Sequence, residues 1–127
     1  MPPTLGIRHV ALRVADLPAA ERFYVGVLGY AVEWRPDPDN VYLTSGADNL
    51  ALHRVDAVRA GPVQPLDHFG IVVPRPADVD AWAEHLKGHG VALATEPRTH
   101  RDGARSFYVD DPAGNRIQFI HHPPISG

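Results

Sequence analysis

Residues 6–14 alternate, with Val10, Leu12 and Val14 on one face and Ile7, His9, Ala11 and Arg13 on the other, as in a strand buried on one side. Asp16 then offers a helix N-cap. Ala20, Phe23, Tyr24, Val27 and Leu28 recur at helical spacing, and Gly29 is placed to end that helix. Strands are predicted over 30–35, 41–44 and 49–54, separated by the turn-forming segments 36–39 and 45–48. After a linker over 56–65 the order repeats, with a strand over 66–73 and a helix over about 77–87 that gathers Val79, Trp82, Ala83 and Leu86 on one face. Strands over 91–95, 105–109 and 115–120 complete the second half, and Asp110-Asp111-Pro112-Ala113-Gly114 forms the turn between the last two. Each half reads βαβββ. Module one spans about residues 5–55 and module two about 66–122 of a single domain.

The repeat gives His9 and His68 matching places on the first strand of each module. If Val10, Leu12 and Val14 meet the helix, alternation turns His9 to the opposite face. His68 follows the same rule on a strand that is apolar on both faces, with Phe69, Ile71 and Val73 opposite it. Ala11 and Gly70, two residues further along, leave space beside each imidazole. A single histidine on a half-buried strand is most simply a hydrogen-bonded core residue. Two in duplicated positions favour a shared pocket. In the last strand Ile117 and Phe119 belong to the core, so Gln118 faces as the histidines do, where an amide without a partner costs roughly 1–3 kcal/mol.

Composition narrows the options. A chain of 127 residues, 44% of them hydrophobic, can bury a core, and only the residues after Pro123 look loose. The net charge of −3, without a Lys/Arg cluster, lacks the footprint for nucleic-acid binding. The absence of cysteine rules out disulfides, thiol catalysis and Cys-ligated zinc. With no leader-like segment and no apolar run of membrane length, a soluble cytoplasmic protein is expected.

Several motifs together resemble the vicinal oxygen chelate superfamily, the group of glyoxalase I, extradiol dioxygenases, and fosfomycin and bleomycin resistance proteins. They are the opening strand at 9–17, Phe23-Tyr24 through Leu28-Gly29-Tyr30, Asp67-His68 with its apolar strand, Ser106-Phe107-Tyr108, and Asp111 through Ile117. The resemblance covers residues 6–121 and implies an α+β fold: two tandem βαβββ modules forming a cupped mixed sheet with helices on its convex side. It further implies a divalent metal (Fe, Mn, Ni, Zn or Co) held by His9, His68 and Gln118. Gln118 stands where the family usually has glutamate, and Ala51 occupies the fourth position, so the site has three ligands and no carboxylate. Relatives of this length imply a homodimer.

Around these positions, His53 shares the face of Ala51 and reaches the cavity or sits at its rim. Tyr108 donates to a substrate oxygen or helps as an acid, or, more simply, is a buried structural tyrosine. Arg13 binds an anionic substrate or pairs with Glu33, while Trp34 and Tyr42 line the cup or serve packing. The loop 97–103 has the polarity of a lid, and His85, His89, His121 and His122 read as solvent-facing. Two functions follow: a metal-dependent dioxygenase or lyase/isomerase binding vicinal oxygens of a small substrate, or a metal-free protein sequestering an aromatic or antibiotic-like ligand.

Overall fold

The computed structural model describes residues 3, 5, 7–57 and 66–126. The chain divides into two compact units, Met1–Arg59 and Ala60–Gly127. Unit one contains β1 (His9–Val14), α1 (Leu17–Glu21), a π-helical turn (Arg22–Val27), β2 (Ala31–Asp37), β3 (Asn40–Thr44) and β4 (Asn49–Arg54). Unit two contains β5 (Phe69–Val72), α2 (Pro76–Gly88), β6 (Arg98–Thr99), β7 (Arg105–Asp110) and β8 (Arg116–His121). Each forms a four-stranded mixed sheet, ordered β1-β4-β3-β2 and β5-β8-β7-β6, in which the first and last strands of the module run parallel and the other neighbours antiparallel. Both modules are therefore βαβββ, as the hydrophobic pattern predicts.

The alternation predicted for β1 holds: Leu12 and Val14 are buried while His9, Ala11 and Arg13 are exposed. Asp16 caps α1, its Oδ1 accepting from the Ala19 N–H at 3.0 Å. The helix then departs from expectation by widening, with Leu28 N–H reaching back five residues to the Phe23 carbonyl at 3.0 Å. Phe23, Tyr24 and Leu28 are buried, whereas Val27, expected on the packed face, is only half-buried. Gly29 follows at φ +83°, a conformation that ends the helix and that other residues resist. In module two α2 is regular. It begins at Pro76, where the Arg75 N–H donates to Asp78 Oδ2 at 3.0 Å. Val79, Ala83 and Leu86 are buried, and Phe119 of β8 stacks on Phe107 of β7 with centroids 5.1 Å apart and planes 3° from parallel.

Four other expectations change. The strand predicted over 91–95 reduces to one bridge, Leu93 with Val109, because Thr95 Oγ1 takes the Tyr108 N–H at 2.9 Å and displaces the regular ladder; pairing resumes at β6, after Pro97. β2 runs through Pro36 to Asp37, so the turn shrinks to Pro38-Asp39. That proline is tolerated because β2 is an edge strand, interrupted by two register shifts and exposed along its whole length. The residues after Pro123 are tied back, with the Ile125 and Ser126 N–H groups donating to the His122 carbonyl at 3.0 and 2.9 Å. Strands β1 and β5 begin at His9 and Phe69, later than the predicted 6 and 66. Residue 6 and most of the linker expected over 56–65 (58–65) lie outside the described residues.

Candidate functional site

Module one presents His9, Arg13, Tyr42, Ala51 and His53 on one face of its sheet: His9 pairs with Asn49, Ala11 with Ala51 and Arg13 with His53 across β1 and β4, and Tyr42 pairs with Ala51 across β3. His9 Nδ1 lies 2.8 Å from Asn49 Oδ1, while Asn49 Nδ2 donates to Glu33 Oε2 at 2.8 Å. A carboxylate accepts only, so the Asn49 amide must turn its nitrogen to Glu33 and its oxygen to His9. His9 Nδ1 therefore carries the proton, and Nε2 holds a lone pair. His53 repeats the device. Its Nδ1 donates to Asn40 Oδ1 at 2.6 Å, and Asn40 Nδ2 donates to both Asp37 oxygens at 2.9 and 3.0 Å.

The side chain that makes the His9 relay possible comes from a bulge. Val32 pairs with Leu43 and Trp34 with Tyr42, leaving Glu33 as the extra residue between them, where it reaches Asn49. Glu33 is thus engaged with Asn49, and the pairing with Arg13 considered from sequence does not form: Arg13 has no carboxylate partner among the described residues. Trp34, 60% exposed, stacks on Tyr42 at 5.4 Å and 17°, and Tyr42 meets His53 edge-on at 6.0 Å. This is an open aromatic platform rather than core packing. Ala51, at the fourth family position, is fully buried and offers no donor.

Module two brings together His68, Tyr108 and Gln118. Gln118 sits opposite Gly70 on β5 and opposite Tyr108 on β7. The His68 ring meets the Tyr108 ring edge-on at 5.3 Å and 84°, and the Arg116 guanidinium lies 5.9 Å from the Tyr108 centroid. Asp67 Oδ2 accepts from His68 Nδ1 at 2.6 Å, again leaving Nε2 as the uncommitted ring nitrogen. Tyr108 is half-buried, so the alternative of a fully buried structural tyrosine is not met. Neither its hydroxyl nor the Gln118 amide makes a hydrogen bond among the described residues. Space is less generous at Gly70 than its sequence suggests: an added Cβ would touch Ile120 Cγ2 at 3.6 Å, an ordinary contact.

The four histidines expected at the surface divide. His85 and His89 are exposed. His122 is half-buried and lines a groove, while His121 is half-buried on the helix side of β8, with a buried Nδ1 lacking any partner among the described residues. Strand alternation accounts for the change, since β8 extends to residue 121 and turns that side chain inward with Ile117 and Phe119. Sequence reasoning missed Asn49, Asn40 and Asp67 as orienting groups. Only Asp67, adjacent to His68, carried any signal in one dimension.

Imidazoles whose Nδ1 is already engaged, leaving Nε2 available, and an amide oxygen are donors suited to a borderline divalent cation. Among the described residues no three His, Cys, Asp or Glu side chains form a group able to hold one. Nor, among them, is any helix long and apolar enough to cross a membrane.

Comparison with known proteins adds a family. Residues 6–119 match the family model described as the Glyoxalase/Bleomycin resistance protein/Dioxygenase superfamily. A 2-epi-5-epi-valiolone epimerase from Actinomyces sp is 28% identical over 97% of this chain and 82% of its own. A catechol-2,3-dioxygenase from Bacillus subtilis is 28% identical over 90% of this chain, which spans only 40% of that enzyme. Among solved structures, a lactoylglutathione lyase from Agrobacterium tumefaciens superposes with a TM-score of 0.80 at 26% identity, covering 98% of each chain.

Proposed function

Because the chain belongs to the Glyoxalase/Bleomycin resistance protein/Dioxygenase superfamily, we propose that it is a metal-dependent enzyme acting on a small molecule with two neighbouring oxygens, by dioxygenase or lyase/isomerase chemistry. The observation carrying this reading is the locked tautomer of His9 and His68, each held through Nδ1 by a side-chain oxygen at 2.8 or 2.6 Å. That arrangement commits Nδ1 and leaves Nε2 available to a metal, as a ligating imidazole needs.

The proposed ligands are His9 and His68 through Nε2 and Gln118 through its amide oxygen. A divalent metal (Fe, Mn, Ni, Zn or Co) supplies Lewis-acid polarisation of the substrate oxygens when bound. Tyr108, its hydroxyl free beside His68, donates to a substrate oxygen. His53, whose Nδ1 proton is committed to Asn40, takes up a proton at Nε2. Arg13 holds an anionic group, and Trp34 with Tyr42 receives an apolar part of the ligand. The epimerase, dioxygenase and lyase relatives support an enzyme without choosing among the reactions. The reading includes a homodimer in the cytoplasm, and a stable monomer by light scattering removes that part.

Elemental analysis of protein purified without added metal tests the core of the proposal. About one equivalent of Fe, Mn, Ni, Zn or Co per chain is expected, with His9→Ala or His68→Ala lowering affinity by more than about tenfold. No stoichiometric uptake, with ligand binding intact in both variants, overturns it. The exposed Trp34–Tyr42 stack and the missing carboxylate favour a second reading in that event, a protein that sequesters an aromatic ligand.

A further inference from the structure

A groove of about 890 Å³ runs over module two from β6 and the turn that follows it, residues 98–102, to Gln118 and Ile120. Two of its lining residues are arginines without an ion pair among the described residues, Arg98 and Arg101. In a chain of net charge −3, Arg35, Arg54, Arg75, Arg105 and Arg116 each lie within 3.2 Å of a carboxylate. Arg98 and Arg101, both in the groove, have no carboxylate partner among the described residues. Arg98 makes only a long 3.4 Å contact, to His100 Nδ1. The one acidic lining group, Asp102, is turned to its own loop, Oδ1 accepting the Ala104 N–H at 3.0 Å.

The backbone carrying the arginines, β6 for Arg98 and the following turn for Arg101, is held in shape. The His100 N–H donates to the Ala104 carbonyl at 2.7 Å, Gly103 N–H donates to the His100 carbonyl at 3.0 Å, and His100 Nε2 donates to Oγ of buried Ser106 at 2.9 Å. Gly103 at φ +90° permits that turn. Two guanidiniums carried by this backbone, with His122 also lining the groove, offer several N–H donors to an anion, and only their side chains have to be ordered when it binds. Beyond them Ile120 and Ala104 provide an apolar strip leading to the unpaired amide of Gln118.

We propose that this groove recognises an oxyanion, the carboxylate or phosphate of a small organic acid, through Arg98 and Arg101, with the body of the ligand extending over Ile120 toward Gln118. Only the far end of that ligand rests on the metal-enzyme reading above; the anion contact needs no metal.

The full-length protein, freed of metal by a chelator, is titrated by NMR with inorganic phosphate, butyrate and the neutral isostere butyramide. Perturbation of the Arg98 and Arg101 side-chain signals by phosphate or butyrate, but not by butyramide, is expected; which of the two anions binds identifies the source. Salt at about 0.5 M weakens the interaction. The double variant Arg98→Ala/Arg101→Ala, its melting temperature unchanged, should raise the anion Kd by about tenfold or more, and the double lysine variant should recover part of the loss. Equal binding of butyrate and butyramide, no anion binding, or wild-type affinity in the double alanine variant overturns the proposal. Titrating separate portions of the same sample with Fe²⁺, Mn²⁺, Ni²⁺, Zn²⁺ and Co²⁺ keeps the two readings apart: anion binding without uptake of any of these metals sinks the metal enzyme alone, and metal uptake without anion binding sinks this inference alone.

Discussion

Module one fastens its first-strand histidine through a neutral amide backed by Glu33, whereas module two uses the carboxylate of Asp67 directly. The contrast extends to the last strand, where the slot that holds buried Ala51 in β4 holds half-buried, unpaired Gln118 in β8. It recurs on the second strand, a seven-residue β2 bearing an aromatic platform in one case and a two-residue β6 beside an arginine groove in the other. The duplicated backbone fixes which face each slot points to. The chemistry at each slot is then free to diverge, because the backbone pairing at these slots does not use their side chains.

Placing one carboxylate in the two matched slots gives the sharpest separation. Ala51→Glu should cost roughly 3 kcal/mol or more, since it buries an acid with no partner, while Gln118→Glu should cost under about 1 kcal/mol and raise divalent-metal affinity about tenfold or more. Denaturant unfolding and metal titration read the two effects, and equal destabilisation would erase the distinction between the slots. Next in size are the orienting groups. Asp67→Ala and Asn49→Ala should each lower metal affinity by about 10–100-fold, with Asp67 the larger because a charged acceptor holds the ring more firmly. Unchanged affinity in both variants would reduce these bonds to surface decoration.

The smallest effects lie in the helix-to-sheet ion pairs, Glu21 with Arg35 in module one and Asp80 with Arg105 in module two, both at 2.6 Å. Glu21→Gln and Asp80→Asn should each cost under about 1 kcal/mol near neutral pH, because these partners remain partly solvated. Hydrogen bonds from Arg105 hold the Asp80 carboxyl below the usual carboxylate range. Its contribution is therefore present above that range and is lost as pH falls through the lowered value, so the Asp80→Asn difference should vanish in acid. A cost that persists below the Asp80 titration would point to packing instead.

Much of the fold was legible because alternation and helical spacing are local properties. β1, β4, α2 and β8 lie within a few residues of their predicted spans, and Asp16 caps the first helix as its sequence position suggests. The π-helical turn was hidden, since apolar residues at 20, 23, 24 and 28 suit an α-helix equally well. The segment 91–95 misled for a different reason: its apolar alternation is real, but the Tyr108 N–H goes to the Thr95 side chain while the Tyr108 carbonyl takes backbone N–H groups, so a single bridge forms in place of a strand. At the candidate site, the shared face of His68, Tyr108 and Gln118 follows from period two. The Asn49 and Asn40 relays depend on cross-strand register and on the Glu33 bulge, neither of which a one-dimensional pattern contains.

The irregular edge of module one has a consequence for the life of the protein in concentrated solution. A long strand exposed from Ala31 to Asp37 is a template onto which another chain's strand would add. Two register breaks and a proline without an N–H deny such a guest a continuous row of partners. The bulge that delivers Glu33 to Asn49 therefore also guards against fibrous aggregation, and straightening it by deleting one residue would expose the chain to polymerisation while releasing His9.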